Sequence, residues 1–488
     1  VLLKELEKNF ISKSMKKFNT IKELEDFYKK FENKSLEDIT DFIDRNYPDI
    51  SLSTNKGIAG QVLEAIIGNA PNSDPNPDVK NINVELKVLP LRKIGNKTQP
   101  KERSKLKSIN YNKIVDEKWR TAEVKKKIEK ILFLLYEQPT GKTYKDWKEF
   151  IFKGTLFYEL KYEKENIVQE DWEGIQYKVK SEVADQLSEG DSKILGASTS
   201  GTGKLVKYGN NKEAKQRSYS LKHSYLKVFY NQNKKKIKYS SLNLEENITP
   251  EDYVLNELNK EFKNQKLIDI VSKYKVNFSK NAKSGFSLLI NRMLKIDDKK
   301  RILELEENGI TIKTIPVSKN NKPWEAMSFP KFSLVDLIEE EWNGENEADF
   351  KSIINQGFIF IPIIKEKEKY IVDGKSKYKY KNWKTWEIGK SVYWKPNQLE
   401  LSAIKKEWGK AKDIVLNGVI VNNVKHGKRL RQENNLLKSS DTEIIHIRPH
   451  AKNSKDIDKP YFEFSKIKIS WQSFWLNKSF TEKIINKK

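Results

Sequence analysis

Residues 56–91 read KGIAGQVLEAIIGNAPNSDPNPDVKNINVELKVLPL, and this stretch decides both the fold and the chemistry. It places Glu64 on a short apolar helix, Asp78 after a loop rich in Pro and Asn, and Glu85 and Lys87 on a strand. The i, i+2 spacing of Glu85 and Lys87 puts both side chains on one face of that strand. Three carboxylates and a lysine that converge in this way predict a site for Mg²⁺ and a phosphate group.

At such a site the cation neutralises charge on a scissile phosphate, and Lys87 orients or helps to deprotonate the attacking water. In a chain that is 33% charged, a triad of this kind also arises by chance. The context favours a function, because Glu64 lies among Val, Leu and Ile. A carboxylate on an apolar face needs a partner, and a metal ion is one.

The composition limits the possible chemistry. At 488 residues the chain exceeds one comfortable core, which predicts two domains. Its net charge of +25 favours a polyanionic partner such as nucleic acid, although a lysine-rich coding bias accounts for part of the excess. The sequence has no cysteine, and its four histidines show no metal-ligand spacing, so carboxylates and lysines must carry any hydrolysis.

The hydrophobic pattern gives no reason to expect a membrane protein. The longest apolar run, residues 357–364 (GFIFIPII), predicts a buried strand rather than a membrane span. No signal-peptide pattern is recognised, so a cytoplasmic location is expected. Residues 131–136 (ILFLLY) predict a central strand, whereas residues 196–204 (GASTSGTGK) predict a flexible loop rich in hydrogen-bond donors.

Two weak internal repeats indicate a duplicated domain. Residues 82–91 (INVELKVLPL) are echoed by 308–317 (NGITIKTIPV), and residues 217–226 (RSYSLKHSYL) are echoed by 472–481 (QSFWLNKSFT). A single resemblance between two strands is common by chance, but two in the same order are much less so.

We therefore predict a first domain at residues 1–232, a linker at 233–248 and a second domain at 249–488. In the second domain Thr311 replaces Glu85, although Lys313 matches Lys87. Glu304 falls in the register of Asp78, and the helix-like stretch 285–294 (GFSLLINRML) contains no carboxylate. These residues offer too few carboxylates to build a Mg²⁺ site, so the second domain is predicted to be catalytically silent.

The motifs KGIAGQVLEAIIG and NVELKVLPL resemble those of the MutH family of mismatch-repair endonucleases. The two-domain organisation is closer still to the type II restriction endonucleases of this family that cut at GATC. The resemblance implies an α/β fold with two tandem PD-(D/E)xK restriction-endonuclease-like (MutH-like) domains, each a mixed central sheet flanked by helices. It also implies Mg²⁺ held by Glu64, Asp78 and Glu85, and cleavage 5′ of the G in GATC.

The same resemblance suggests further functional residues. A catalytic lysine of the family falls at Lys127, within one or two positions, and Lys56 opens the first motif as either a phosphate contact or mere surface. Residues 447–456 (IRPHAKNSKD) resemble the family's DNA-reading loop, in which Arg448 suits a bidentate contact with guanine. The candidate DNA contacts are Lys56, Ser198, Thr199, Lys204, Arg217 and Lys222 in the first domain, and Arg448, Pro449, His450, Lys452, Asn453, Lys455, Gln472 and Asn477 in the second.

The predicted function is that of a type II restriction endonuclease acting on double-stranded GATC DNA. The first domain cuts and the second binds DNA as an allosteric effector. One active site per chain and a palindromic target predict a homodimer on DNA. Two alternatives are a repair-type endonuclease that nicks at GATC and a DNA-binding protein without catalysis.

Overall fold

The computed structural model describes residues 15–487, apart from residues 72–73, 75, 95–96, 140–141, 201–203, 246–247, 279–282, 299, 343–347, 373–374, 427–428 and 452–468. Leaving residues 343–347 aside, the chain divides into two compact units between Lys236 and Ile237. This division falls inside the predicted linker. The residues just after it are structured, since Tyr239–Ser240 pairs with Arg301–Ile302 in the second unit.

The first unit mixes helices and strands. Its α-helices are α1 Ile21–Lys29, α2 Leu36–Asn46, α3 Ile58–Ala65, α4 Tyr111–Ile114, α5 Glu123–Glu129, α6 Tyr162–Lys180 and α7 His223–Asn233. Its strands are β1 Glu85–Ile94, β2 Lys97–Pro100, β3 Ser104–Ser108, β4 Lys130–Glu137, β5 Ile151–Glu159, β6 Leu195–Thr199, β7 Leu205–Tyr208, β8 Lys212–Lys215 and β9 Arg217–Leu221. Short 3₁₀ turns cover Lys80–Ile82, Trp119–Thr121, Tyr144–Glu149, Ala184–Gln186 and Glu189–Asp191.

The main sheet of the first unit has the strand order β2-β1-β4-β5. Strands β1 and β4 run parallel, with Glu85 opposite Ile131, and the other two pairings are antiparallel. Alternate residues of β4 pack into two different hydrophobic cores. Ile131 and Phe133 pack on one face of the strand, and Leu132 and Leu134 pack on the other. Because β4 is buried on both faces, it is almost entirely apolar, as the sequence predicts.

Local signals in the sequence explain how the helices begin. Ser35 accepts a hydrogen bond from the Asp38 N–H, and the Asp38 carboxylate accepts one from the Ser35 N–H, which forms the capping box of α2. At the start of α1, the Thr20 hydroxyl accepts a hydrogen bond from the Glu23 N–H. The short apolar helix predicted to carry Glu64 is α3, and Gly68 follows it with a φ of +80°. A Cβ there would lie 2.7 Å from the ring of Tyr47.

A second sheet of the first unit has the order β3-β9-β6. Helix α6 is joined to it by the buried carboxylate of Asp171, which accepts hydrogen bonds from the N–H groups of Lys193, Ile194 and Leu195 at 2.6–2.8 Å. Burial raises the pKa of Asp171, although these three hydrogen bonds oppose the rise. The strand is thus fixed to the helix through its main chain.

The prediction of a flexible loop at residues 196–204 is wrong for residues 196–199. These belong to β6, whose residues are all buried and which pairs with β9 along its whole length. Small residues suit this strand because it is covered on both faces. Residues 201–203 lie outside the described part of the chain.

The second unit is also mixed α/β. Its α-helices are α8 Pro250–Phe262, α9 Leu267–Lys273, α10 Lys283–Met293, α11 Leu303–Glu307, α12 Leu334–Glu339, α13 Asp349–Ile354, α14 Gln398–Leu416 and α15 Lys478–Ile485, and a 3₁₀ turn covers Trp383–Thr385. Its strands are β10 Tyr239–Ser240, β11 Arg301–Ile302, β12 Thr311–Val317, β13 Met327–Phe332, β14 Phe358–Ile364, β15 Lys367–Val372, β16 Lys375–Tyr380, β17 Glu387–Ile388, β18 Val392–Trp394, β19 Val421–His426, β20 Arg429–Asn434, β21 Ile445–Pro449 and β22 Gln472–Leu476.

The strand pairings of the second unit follow the order seen in the first. Strand β12 runs parallel to β14, which pairs antiparallel with β17 and β18. A separate sheet has the order β13-β22-β21, and β15-β16 and β19-β20 are two-stranded ribbons. The strand predicted at residues 357–364 is β14. Among the described helices, none combines the length and apolar character needed to cross a membrane.

Candidate active site

The site is built around the carboxylate of Glu85, which begins β1 and is fully buried. Lys127 Nζ donates hydrogen bonds to both of its oxygens, at 2.8 and 2.9 Å, and Lys87 Nζ lies 2.6 Å from Oε1. The parallel pairing of Glu85 with Ile131 explains the first contact, because Lys127 lies in α5 immediately before β4. Two cations thus compensate one buried negative charge.

Asp78 joins the loop before β1 to the strand itself. Its Oδ2 accepts a hydrogen bond from the Leu86 N–H at 2.8 Å, and its Oδ1 accepts one from Asn69 Nδ2 at 3.3 Å. The bond to Leu86 brings Asp78 beside Glu85, although seven positions separate the two in the sequence. Asn69 is buried and restrains the second oxygen of Asp78.

Glu64 reaches this cluster from α3. Burial raises the pKa of Glu64 to about 7; Lys87 opposes the rise, while Asp78 and Glu85 add to it. Three carboxylates close enough to affect one another therefore converge with two lysines. Burial disfavours the charged form of Lys87, but attraction to Glu85 and Asp78 outweighs burial and raises the pKa of the ammonium group. Lys87 stays cationic at neutral pH.

The donor set suits a hard divalent cation, because it consists of carboxylate oxygens around a buried negative charge. As the side chains lie, however, no three His, Cys, Asp or Glu residues within the described ranges form a group that could hold a metal ion. The oxygens of Glu85 contact the ammonium groups of Lys87 and Lys127 instead. The chemistry of the donors fits Mg²⁺.

The structure therefore brings together the five residues proposed for catalysis, Glu64, Asp78, Glu85, Lys87 and Lys127. Sequence reasoning missed Asn69, which holds Asp78. Its only sequence signal is its place directly after Gly68, where the helix ends and the loop toward Asp78 begins. Lys56 is exposed, with its Nζ 5.9 Å from the centre of the Tyr144 ring.

The DNA contacts proposed for the first domain separate into two groups. Ser198 and Thr199 are buried in β6, and Lys222 donates from Nζ to the Ser192 carbonyl, so their placement argues against direct DNA contact. Lys204 is exposed. Arg217 is half-buried and donates from Nη1 to the Ala197 carbonyl at 2.8 Å, while its buried Nε has no partner in the described structure.

The contacts proposed for the second domain separate in the same way. Gln472 and Asn477 are buried, and Asn477 bonds to His446 and Thr442, which argues for a structural role. Arg448 and Pro449 are exposed, and the Arg448 guanidinium lies 5.2 Å from the centre of the Trp475 ring.

His450, next along the chain, bonds from Nδ1 to Ser473 Oγ at 3.0 Å. Lys452, Asn453 and Lys455 lie outside the described residues.

Comparison with known proteins finds a family model that matches the region of this site. Residues 67–171, which include Asp78, Glu85, Lys87 and Lys127, match the model described as DNA mismatch repair enzyme MutH. This stretch is MutH-like. The MutH-like region thus contains the buried Glu85 and both of its lysines.

The chain is also similar in sequence to whole proteins. The chain is 27% identical to the type II restriction enzyme Sau3AI of Staphylococcus aureus, over 89% of this chain and 93% of that protein. It is 24% identical to the DNA mismatch repair protein MutH of Shewanella baltica and 25% identical to that of Vibrio campbellii, each over 37% of this chain and about two thirds of the relative. The predicted resemblance and the predicted enzyme class, a site-specific deoxyribonuclease, are confirmed.

Proposed function

We propose that this chain is a type II restriction endonuclease that cleaves double-stranded DNA 5′ of the G in GATC. The first unit cuts, and the second unit binds DNA as an effector. The observation that carries the proposal is the convergence of Glu64, Asp78, Lys87 and Lys127 around the buried carboxylate of Glu85. The similarity to a restriction enzyme over nearly the whole chain supports the same conclusion.

Asp78 and Glu85, with help from Glu64, would hold Mg²⁺, which when bound polarises the scissile phosphate and its water. Lys87 keeps its positive charge and positions the attacking water beside the phosphate. Lys127 donates hydrogen bonds to both oxygens of Glu85 and balances its negative charge. In-line attack of the water breaks the bond between phosphorus and the 3′ oxygen, which leaves a 5′-phosphate and a 3′-hydroxyl.

The second unit lacks the partners that this mechanism needs. Thr311 lies opposite Phe358 in the parallel pair β12-β14, as Glu85 lies opposite Ile131 in β1-β4. Four residues before Phe358 stands Ile354, fully buried, where the first unit has Lys127 four residues before Ile131. Both the central carboxylate and its lysine are thus replaced, which supports a silent unit.

A shared structural joint supports the proposal that the two units are tandem MutH-like domains. Asp171 of α6 accepts three main-chain N–H groups at the start of β6. Glu407 of α14, also buried, accepts the N–H groups of Glu443, Ile444 and Ile445 at the start of β21. In both helices the next residue is a buried tryptophan.

Plasmid cleavage tests the proposed activity. The wild-type chain with Mg²⁺ is expected to convert supercoiled plasmid to linear fragments whose sequenced ends begin with GATC, whereas Ca²⁺ supports binding without cleavage. Lys87→Ala should abolish cutting, while Lys313→Ala, its counterpart in the second unit, should cut normally. Nicked circles as the final product would favour a nicking enzyme instead. Normal cleavage by Asp78→Ala would overturn the proposed mechanism.

Assembly on DNA is tested separately. One active site per chain must reach two strands, so two chains are proposed to assemble on one GATC duplex. Sedimentation of Asp78→Ala protein with the duplex is expected to show a complex that contains two chains. A single chain that cuts both strands at once would contradict this part of the proposal.

A further inference from the structure

The ribbon β15-β16 presents exposed apolar and basic side chains together. Its strands pair from Lys367 opposite Tyr380 as far as Val372 opposite Lys375. The exposed fractions of Ile371 and Tyr378 reach 71% and 63%, although both are large apolar residues. A two-stranded ribbon is marginally stable by itself, so a ribbon with both faces in solvent indicates a surface kept for a partner.

The ribbon distinguishes the second unit from the first. It lies in the connection that follows β14, residues 365–386. The equivalent connection after β4, residues 138–150, is shorter and contains the 3₁₀ turn Tyr144–Glu149. Lys365 and Gln138 begin these connections with the same main-chain bond, to Val317 and Leu91 respectively. The extra residues of the second unit are those that build the ribbon.

The register sorts the ribbon side chains onto two faces. Tyr370 lies opposite Lys377 and shares its face with Lys379, whose Nζ is 5.5 Å from the Tyr370 ring and 3.2 Å from Glu368. The other face carries Lys369 opposite Tyr378, with Ile371 beside them. Each face therefore presents ammonium groups next to an aromatic ring, which is the composition of a surface that contacts nucleic acid.

Aromatic residues hold the base of the ribbon. Lys367 Nζ lies 4.3 Å from the centre of the Trp324 ring and 5.0 Å from that of Tyr380. Lys365 Nζ lies 3.9 Å from the centre of the Trp386 ring, and its carbonyl accepts a hydrogen bond from Trp324 Nε1 at 2.8 Å. Burial lowers the pKa of Lys365 to about 8. These contacts anchor the base of the ribbon.

We infer that the β15-β16 ribbon inserts into the major groove of duplex DNA and is the effector contact of the second unit. The major groove admits a two-stranded ribbon, and the lysines on both faces lie where the two flanking phosphate backbones would run. Tyr370, Ile371 and Tyr378 supply apolar contact to bases and sugars inside the groove. The inference rests on the proposed function, in which this unit binds DNA.

Binding measurements on the full chain test the inference. The triple variant Lys369→Gln, Lys377→Gln, Lys379→Gln removes three candidate phosphate contacts without touching the first unit. Fluorescence anisotropy with a labelled GATC duplex, in Ca²⁺ to prevent cleavage, gives the affinity at several salt concentrations. Loss of three contacts should flatten the slope of log K against log salt by about 2.7 and weaken binding by up to about 500-fold at about 0.1 M salt.

A control variant matches the change in charge. Lys22, Lys193 and Lys295 have exposed fractions of 75%, 63% and 68%, and each forms a surface ion pair away from the ribbon. Their replacement by Gln lowers the net charge equally and should leave the slope nearly unchanged. Tyr378→Ala should weaken binding without changing the slope, whereas Tyr177→Ala, at a residue that is 71% exposed in α6, should not weaken it.

The outcomes separate the two proposals. If the ribbon variant binds like the wild type while the wild type cuts GATC DNA, the ribbon inference fails and the proposed function stands. If the wild type neither binds nor cuts DNA, both fail together. A ribbon variant that binds DNA normally but changes the sedimentation of the protein alone would assign the ribbon to contact between chains and overturn the inference. Equal loss in the lysine control would also overturn it.

Discussion

Replacing Glu64 by Gln should stabilise the metal-free protein at alkaline pH. The substitution keeps the shape of the side chain and removes its charge. The pKa of Glu64 is about 7 in the folded protein against an ordinary value of 4.5, mainly because of burial. Between these two values the unfolded chain releases the proton of Glu64 while the folded chain keeps it, so the free energy of unfolding falls as the pH rises.

The magnitude follows from the shift in pKa. Each pKa unit corresponds to about 1.36 kcal/mol, so a shift from 4.5 to about 7 costs the folded protein about 3 kcal/mol once the pH exceeds 7. At about pH 5 less than about 1 kcal/mol of this cost is present. The advantage of Glu64→Gln over the wild type should therefore grow by about 2 to 3 kcal/mol between about pH 5 and about pH 8. Partial exposure of Glu64 makes the upper figure a limit.

Urea unfolding in the presence of EDTA, followed by far-UV circular dichroism at several pH values, measures this difference. Comparing the variant with the wild type at the same pH cancels the titration of groups that do not interact with Glu64. Mg²⁺ should then stabilise the wild type more than Glu64→Gln, because a ligand carboxylate has been lost. A stability difference that does not change with pH would refute the buried, crowded environment assigned to Glu64.

Three further predictions test contacts that hold the fold together. Lys127→Met should destabilise the protein by about 1 to 3 kcal/mol, because it removes two hydrogen bonds to buried Glu85; Lys127→Arg should recover part of the loss, as measured by urea unfolding. Asp171→Ala leaves three main-chain N–H groups without their acceptor. Hydrogen exchange should therefore show loss of protection at the start of β6. Glu407→Ala should instead reduce protection at the start of β21. Ser35→Ala should cost about 1 kcal/mol in the same unfolding assay, since it removes the cap of α2.

Much of the site could be predicted because its residues lie close together in the sequence. The strand period alone puts Glu85 and Lys87 on one face. Lys127 was harder to place, because its contact with Glu85 depends on which strands are neighbours and in which register. No local sequence pattern indicates that β1 and β4 run parallel. The family resemblance, rather than periodicity, pointed to Lys127 and left an uncertainty of one or two positions.

The strand at residues 195–199 shows where sequence patterns fail. Its residues LGAST have neither an apolar run nor an alternating pattern, so they predict a loop. They form a buried strand because β9 pairs with them and Asp171, far away in sequence, receives the N–H groups at their start. Burial depends on tertiary neighbours that a local window does not contain.

The joint between a helix carboxylate and the main chain of a strand has a consequence for divergence. Every residue except proline supplies a main-chain N–H, so the joint itself requires only that the residues it holds are not proline. The limits on Ile194, Leu195, Ile444 and Ile445 come instead from their burial in the cores. Either Asp or Glu serves as the acceptor, so the proposed duplication is compatible with two units that share this joint but few residue identities.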